Sequence, residues 1–397
     1  MKGLRVALVA AEFPSEWSSG GGLGTYLGRL VRVLRDAGHE PEVFVSSREA
    51  PEVIAWQGVR VERVHRMDAG LPGRAALRLC RSLGLRRLQP GLLIAGNAWR
   101  LAAALARRDA RTPFDLVQSS DYLATGLFVP RRPGRPHLVR CSSAIELLAA
   151  AEGDDSPRRR WEARLQRACI RRADAAYAPS RFVADHFRER HGLAVGVLRP
   201  PLLREVEPAP ELPPGVPKRY LLHFGRLSAV KGSEVLARAL PRAWRSEPEL
   251  RLVLAGSDPQ RRLAGWRALW GRDRERVAWL GELERPELYA VLRGAEAAVL
   301  PSLVDNLPNT AIESLMLGVP VVASAGASLD ELVEPGRSGL LVPPGDEEAL
   351  AEALVRVWRG EGVARGFRFD SAIAEAMRPE RALDGLLRLA GRLPDQA

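Results

Sequence analysis

Short apolar runs of β-branched character, each followed by a turn and then by apolar residues at helical spacing, recur along nearly the whole chain. This alternation leaves few folds open. LRVALVA (4–10) reads as a buried strand, and a long glycine-containing loop follows it. The stretch 25–40, TYLGRLVRVLRDAGHE, then places Leu27, Leu30, Val31 and Leu34 on one helical face and closes at Gly38. PEVFVSS (41–47) is the next strand. A strand-loop-helix-strand unit of this kind requires a crossover, and so a parallel sheet. FDLVQSS (114–120), HLVRCSS (137–143, followed by IELLAAAE) and AAYAPS (175–180) continue the series, with helices around 158–172 and over 181–192.

Residues 200–217, PPLLREVEPAPELPPGVP, interrupt the alternation with a proline-rich stretch that has no periodicity. The pattern then restarts with RYLLHFGRL (219–227), VKGSEVLARALPRAW (230–244), LRLVLAGS (250–257), VAWLGEL (277–283) and AAVLPS (297–302). It ends in a helix expected around 370–393. A length of 397 residues is too great for one ordinary core and fits two. The expectation is therefore an α/β protein of two doubly wound halves: 1–200, a linker at 201–217, 218–365, and a C-terminal helical segment at 366–397 packing back toward the first half. Ligand would sit in a cleft between them, near the carboxyl ends of the strands.

The content of 46% hydrophobic and 27% charged residues is that of a soluble globular protein. Cys80, Cys141 and Cys169 form no close pair, and no Cys/His cluster has metal-site spacing, which fits a reducing compartment without structural zinc. The opening MKGLRVALVAAEFP has too short an apolar run for a signal peptide, and no 18-residue apolar stretch exists to span a membrane. The net charge of +11 is carried almost wholly by arginine, since lysine occurs only at positions 2, 218 and 231. Arginine concentrates at 74–111 and 158–172. Those runs read either as solvated helix faces or as a surface for anionic lipid or an anionic acceptor. No nucleic-acid-binding motif accompanies them.

Two stretches carry candidate chemistry. Residues 301–324, PSLVDNLPNTAIESLMLGVPVVAS, place Asp305 and Glu313 eight positions apart. Pro308 sets a helix start at Asn309 or Thr310, either of them a good N-cap, and Gly318 and Pro320 stop the helix. Unpaired amides at such a start, around Asn309 and Thr310, suit a phosphate. The same residues also spell a capping box, in which Glu313 would only reach back to the helix start. In the second stretch, HFGRLSAVKGSEVL (223–236), Arg226 follows a strand and Lys231 precedes a helix. Two cations there can hold a doubly charged group, and lysine is scarce elsewhere. The glycines at 20, 21, 22 and 24 match a dinucleotide fingerprint only loosely.

Together these residues resemble glycosyltransferase family 4, the retaining sugar-nucleotide enzymes of GT-B fold. The resemblance rests on the glycine loop, the helix ending in GHE, APSRFVAD, FGRLSAVKG, LVLAGS, WLGEL, the acid-x7-acid segment and SGLLVPPGDEEALAEAL. It implies two Rossmann-like domains facing each other across a cleft. It also implies transfer of a hexose from a nucleoside-diphosphate sugar to a glycan or lipid-linked hydroxyl, without a required cofactor or metal; no D-x-D pair is present. By that likeness Arg226 and Lys231 bind the donor diphosphate, Glu313 the ribose, and Asp305 the donor sugar, where the family usually has Glu. Gly21 and Gly22 lie beside the diphosphate and acceptor, and Asp121 and Ser142 are acceptor-side contacts, Ser142 standing where a His is common. The expected setting is cytoplasmic, with contact to an anionic membrane surface and no nucleic acid. The rival readings are an epimerase or phosphorylase of the same fold, and a non-catalytic basic interaction protein. A nicotinamide dehydrogenase lacks the glycine fingerprint.

Overall fold

The computed structural model describes residues 3–16, 21–69, 78, 80, 82, 84–203, 207–209 and 211–394. Gly20 and Arg74 lie outside that set. The chain forms two compact units, Met1–Leu203 with Glu375–Ala397, and Arg204–Ala374.

The first unit is built on strands β1 (Arg5–Ala10), β2 (Glu40–Ser47), β3 (Glu52–Trp56), β4 (Val59–His65), β5 (Leu116–Ser120), β6 (His137–Arg140), β7 (Ala175–Ala178) and β8 (Gly196–Val197). They form one sheet in the order β3-β4-β2-β1-β5-β6-β7-β8. All pairs are parallel except β3 with β4, an antiparallel edge hairpin that the sequence reading did not contain. The unbroken apolar run of β1 has a simple cause. Val6, Leu8 and Ala10 enter a core shared with the helix Gly22–Asp36, while Ala7 and Val9 enter a second core with Leu101, Ala104 and Leu105 of the helix Gln89–Arg111. A parallel strand covered on both faces has no polar side.

The helix Gly22–Asp36 begins three residues earlier than the expected Thr25, because the Thr25 N–H already bonds the Gly21 carbonyl at 3.0 Å. The C-terminal segment is not one helix over 370–393. It is Ala372–Ala376 followed by Pro379–Leu389, and Pro379 suits the first position of a new helix better than the interior of an old one. The change of unit falls at Glu375, not at 366. Beyond it, Leu383, Leu386, Leu387 and Ala390 pack into the core of β1 and the helix Gly22–Asp36, and the Leu202 N–H bonds the Met377 carbonyl at 2.7 Å.

The second unit holds β9 (Leu221–Phe224), β10 (Leu252–Ala255), β11 (Val277–Trp279), β12 (Ala298–Leu300), β13 (Val321–Ser324) and β14 (Gly339–Val342). Every pair is parallel, in the order β11-β10-β9-β12-β13-β14. Most of the described part of the expected linker belongs here rather than between units, since residues 207–209 and 211–217 cluster with this sheet and the Ala209 N–H bonds the Pro286 carbonyl at 2.8 Å. In each sheet the sequence order reverses at one gap, between β1 and β5 and between β9 and β12. Ligand sites of doubly wound sheets lie at such gaps.

Leu386, 1% exposed, tests the role of the returning C-terminal helix. Leu386→Ala should destabilise the first unit by about 2–5 kcal/mol, the range for emptying a buried leucine site. Hydrogen exchange should show protection falling in β1 and β2 while β9 and β12 keep theirs.

Candidate functional site

Two loops of the second unit are locked together at the β9/β12 gap. The loop after β9 carries Gly225, with φ of +107°, then Arg226, Lys231 and Gly232, with φ of +67°. A Cβ on Gly232 would lie 1.7 Å from the Pro301 carbonyl oxygen, so only glycine allows this approach. The Leu303 N–H donates to the Val230 carbonyl at 2.8 Å, stitching the loop after β12 to the loop after β9. This contact brings together side chains 74 residues apart. Lys231 Nζ donates to Asp305 Oδ2 at 2.6 Å, and Ser302 Oγ donates to the same oxygen at 3.0 Å. Asp305 is the more buried partner, 12% exposed against 32% for Lys231. Arg226 is exposed and pairs with no other described residue.

The chain then passes through Leu307, a non-glycine residue at φ of +54°, whose N–H donates to Ser328 Oγ at 2.7 Å. A branched residue held at positive φ is strained backbone of the kind found at functional loops. The helix after it is Asn309–Met316, and its N-cap is Pro308. Asn309 and Thr310 therefore lie inside the first turn and neither caps it. The capping box does not form either: with Pro308 as N-cap, Thr310 is the second helical residue and Glu313 the fifth, so the two do not stand at the N-cap and N3 positions that a box requires. Glu313 is buried, with Oε1 3.9 Å from Nη1 of Arg285. Arg285 opens the helix Arg285–Gly294, which has its own capping box between Glu284 and Glu287. Sequence reasoning missed Arg285, since a helix-start arginine in this arginine-rich chain gives no signal until the fold sets it beside Glu313. Thr310 lies against the loop after β9: its Cγ2 would be 3.6 Å from a Cβ on Gly225. Exposed cation, paired cation, first-turn amides and buried acid thus line one sheet end, an arrangement suited to a diphosphate joined to a hydroxyl-bearing group. Among the described residues, no group of three metal-ligating side chains occurs around Lys231 and Asp305.

Gly21, Gly22, Asp121 and Ser142 belong to the first unit, at the carboxyl ends of its strands. Gly21 caps the helix Gly22–Asp36, and a Cβ there would lie 2.5 Å from the Glu12 carboxylate. Asp121 is wholly buried and accepts from the Ser142 N–H and from Gln166 Nε2, both at 2.7 Å. It ties the ends of β5 and β6 and does not present its carboxylate outward. Burial pushes its pKa up to about 7, against the lowering effect of those donors and of Arg140. The Ser142 hydroxyl receives Arg140 Nη1 at 2.9 Å and shares a hydrogen bond with Ser120 Oγ at 3.0 Å. Arg140 in turn stacks on Tyr26, 4.0 Å from the ring centroid.

The arginine-rich helices are less bare than their composition implies. Arg158 and Arg159 pair with Glu162, Arg160 with Asp155, Arg167 with Glu146, and Arg108 with Glu42. No helix of the described residues is long and apolar enough to cross a membrane.

Comparison with known proteins places the chain in a family. A model described as "Glycosyl transferases group 1" matches residues 218–359, and a "Glycosyl transferase 4-like domain" matches 21–201. The D-inositol 3-phosphate glycosyltransferase of Pseudarthrobacter chlorophenolicus is 27% identical over 382 residues, covering 91% of this chain and 87% of its own. Sucrose-phosphate synthase from Thermosynechococcus elongatus superposes with a TM-score of 0.70 at 22% identity, over 98% of this chain and 97% of that one. Anabaena Alr3699/HepE in complex with UDP and glucose gives 0.67 at 16% identity, over 98% and 100%. Both solved structures share the GT-B arrangement of two Rossmann-like sheets.

Asp121 yields a pH test. Its folded pKa is near 7, and an unfolded aspartate titrates near about 3.9. Between those values the folded state keeps a proton that the unfolded state has lost, so this group makes stability fall as pH rises from about 4 to 7, with no further change above. Asp121→Asn removes the titration. Denaturant melts from pH 4 to 8 should show the stability difference moving in the variant's favour up to pH 7 and then staying level.

Proposed function

Since the chain belongs to the group 1 glycosyl transferases of family 4, and is a glycosyltransferase, we propose that it moves a hexose from a nucleoside-diphosphate sugar to a hydroxyl of a glycan or lipid-linked acceptor, with retention of configuration. The observation that carries this reading is Lys231, held 2.6 Å from Asp305 beside exposed Arg226 and the first turn of Asn309–Met316. In this reading Arg226, Lys231 and the amides around Asn309 and Thr310 neutralise the charge that grows on the leaving diphosphate. Groups fixed in place before reaction supply that stabilisation at little cost of reorganisation. Glu313 receives the ribose hydroxyls, with Arg285 orienting its carboxylate. Asp305 takes the donor sugar and, until donor arrives, keeps the Lys231 ammonium aimed at the site. The glycine backbone at Gly21 and Gly22 admits the donor and acceptor closely, and Ser142, backed by Arg140, contacts the acceptor. Asp121 acts through Ser142, as a positioning residue. The reaction needs no metal in this scheme, the cations standing where a metal would.

The acceptor side carries a second observation. Leu88, Leu92 and Trp99 are exposed and lie at spacings that bring them to one stripe at and along the helix Gln89–Arg111, with Arg86 and Arg87 just before it. Apolar side chains flanked by arginine suit an anionic membrane surface, where a lipid-linked acceptor would be met.

Melting curves with UDP, GDP, ADP, NAD or buffer test the donor reading. A diphosphate at 100 times its Kd should stabilise by about 2.7 kcal/mol and raise the Tm by a few degrees. Lys231→Ala should abolish that shift and, once a donor is found, lower kcat by roughly 10²- to 10³-fold. No shift with any diphosphate, or a folded Lys231→Ala with full turnover, would defeat the assignment.

A further inference from the structure

A cluster outside the donor and acceptor residues has the chemistry of a metal site. Glu146 lies in the first turn of the helix Ile145–Glu152, and His186 and His191 lie on the helix Arg181–His191. One ligand atom from each lies within 4.8 Å of the other two. His191 Nε2 donates to Glu146 Oε2 at 2.7 Å, and His186 Nε2 stands 3.7 Å from the same oxygen. That second distance is no hydrogen bond, and the His186 Nε2 atom is buried without a partner. A buried polar atom left unsatisfied is costly, so such an atom in a native fold calls for an occupant.

We propose that Glu146, His186 and His191 bind a divalent transition-metal ion, with zinc the best match to two imidazoles and one carboxylate. Ligands of tetrahedral zinc sit about 2.0–2.2 Å from the metal and so about 3.3 Å from one another. The present separations from Glu146 Oε2, 2.7 Å to His191 and 3.7 Å to His186, bracket that value. The outer shell is already in place: Arg167 holds Glu146 Oε1 and leaves Oε2 for the metal. Metal-bound carboxylates are characteristically steadied in this way. The imidazoles are 14% and 15% exposed and the carboxylate 35%, so the cluster is enclosed yet open to solvent on the glutamate side. A fourth position remains for water. Metal would displace the proton now shared by His191 and Glu146, and would clamp the helix that follows the Ser142 strand end to the helix Arg181–His191. Neither effect depends on turnover. Linear spacing concealed the site, because the two histidines are five apart and the glutamate forty residues away.

Calorimetry of the whole chain with Zn²⁺ after chelator treatment tests the proposal, on a Cys80→Ser background to remove the accessible thiol. One equivalent bound with proton release, a Tm that rises with free Zn²⁺, and loss of both in His186→Gln and in Glu146→Gln would support it. Absence of uptake by the folded parent, or uptake that both variants retain, would overturn it and leave a buried water as the partner of His186. Should a variant fail to fold, Co²⁺ titrated into the parent decides. Visible bands of a four-coordinate nitrogen and oxygen site support the proposal, and their absence defeats it.

Discussion

Each strand of a parallel sheet needs a crossover to reach the next, and in the second unit the crossovers leave β9 in two directions. They run first to β10 and β11 on one side, and later to β12, β13 and β14 on the other. Where the direction changes, the loops leaving β9 and β12 stand side by side with no crossover helix between them. Everything proposed for donor chemistry depends on that gap. It is why Lys231 and Asp305, far apart in the chain, share a hydrogen bond, and why Gly232 can have no side chain. The first unit repeats the arrangement between β1 and β5, with Gly21 and Gly22 following β1 and the Asp121–Ser142 tie joining the ends of β5 and β6 beside it.

The ion pair at the gap has a particular character. Lys231 is partly screened and Asp305 nearly enclosed, with Ser302 satisfying the carboxylate as well. An unpaired lysine in that setting would be free to choose among rotamers; a paired one is already oriented. The shorter acid at position 305, where the family more often has Glu, stays close to its own loop and bonds the neighbouring Asn306 N–H at 3.1 Å. Asp305 thereby organises both the loop and the cation. Glu313, eight residues on, is separated from this pair in role: the helix turns it inward toward Arg285.

The arginine content has a structural answer that composition could not supply. Glu42 alone collects Arg5, Arg60 and Arg108, and Glu162 holds Arg158 and Arg159. Much of the apparent basic surface is internal pairing that fixes helices onto the sheet. Other arginines stay exposed, among them Arg107, Arg111 and Arg171, together with Arg226 at the β9/β12 gap and Arg86 and Arg87 just ahead of the leucine and tryptophan stripe.

The sequence alone determined the alternation of buried strands and helices, the two-sheet architecture, and which cations and acids stand on the loops at the β9/β12 gap. These are local or periodic properties: a strand covered on both faces must be apolar throughout, and loops at strand ends must carry the polar chemistry. It determined less about edges and boundaries. The β3–β4 hairpin gave no buried-run signal, because β3 is mostly exposed and β4 alternates buried Val59 and Val61 with half-buried Arg60 and Glu62. The return of the C-terminal helix at Glu375 depended on which core had room for Leu383 and Leu386. The helix starts at Pro308 and not at Thr310, which moves Glu313 out of the capping-box position and into the fifth helical place, facing Arg285. Asp121 looked like a ligand contact, and only burial revealed a tie. Tertiary structure alone set Arg285 beside Glu313 and Glu146 beside two histidines, because proximity across crossovers is a property of strand order, and strand order leaves no mark on residue spacing.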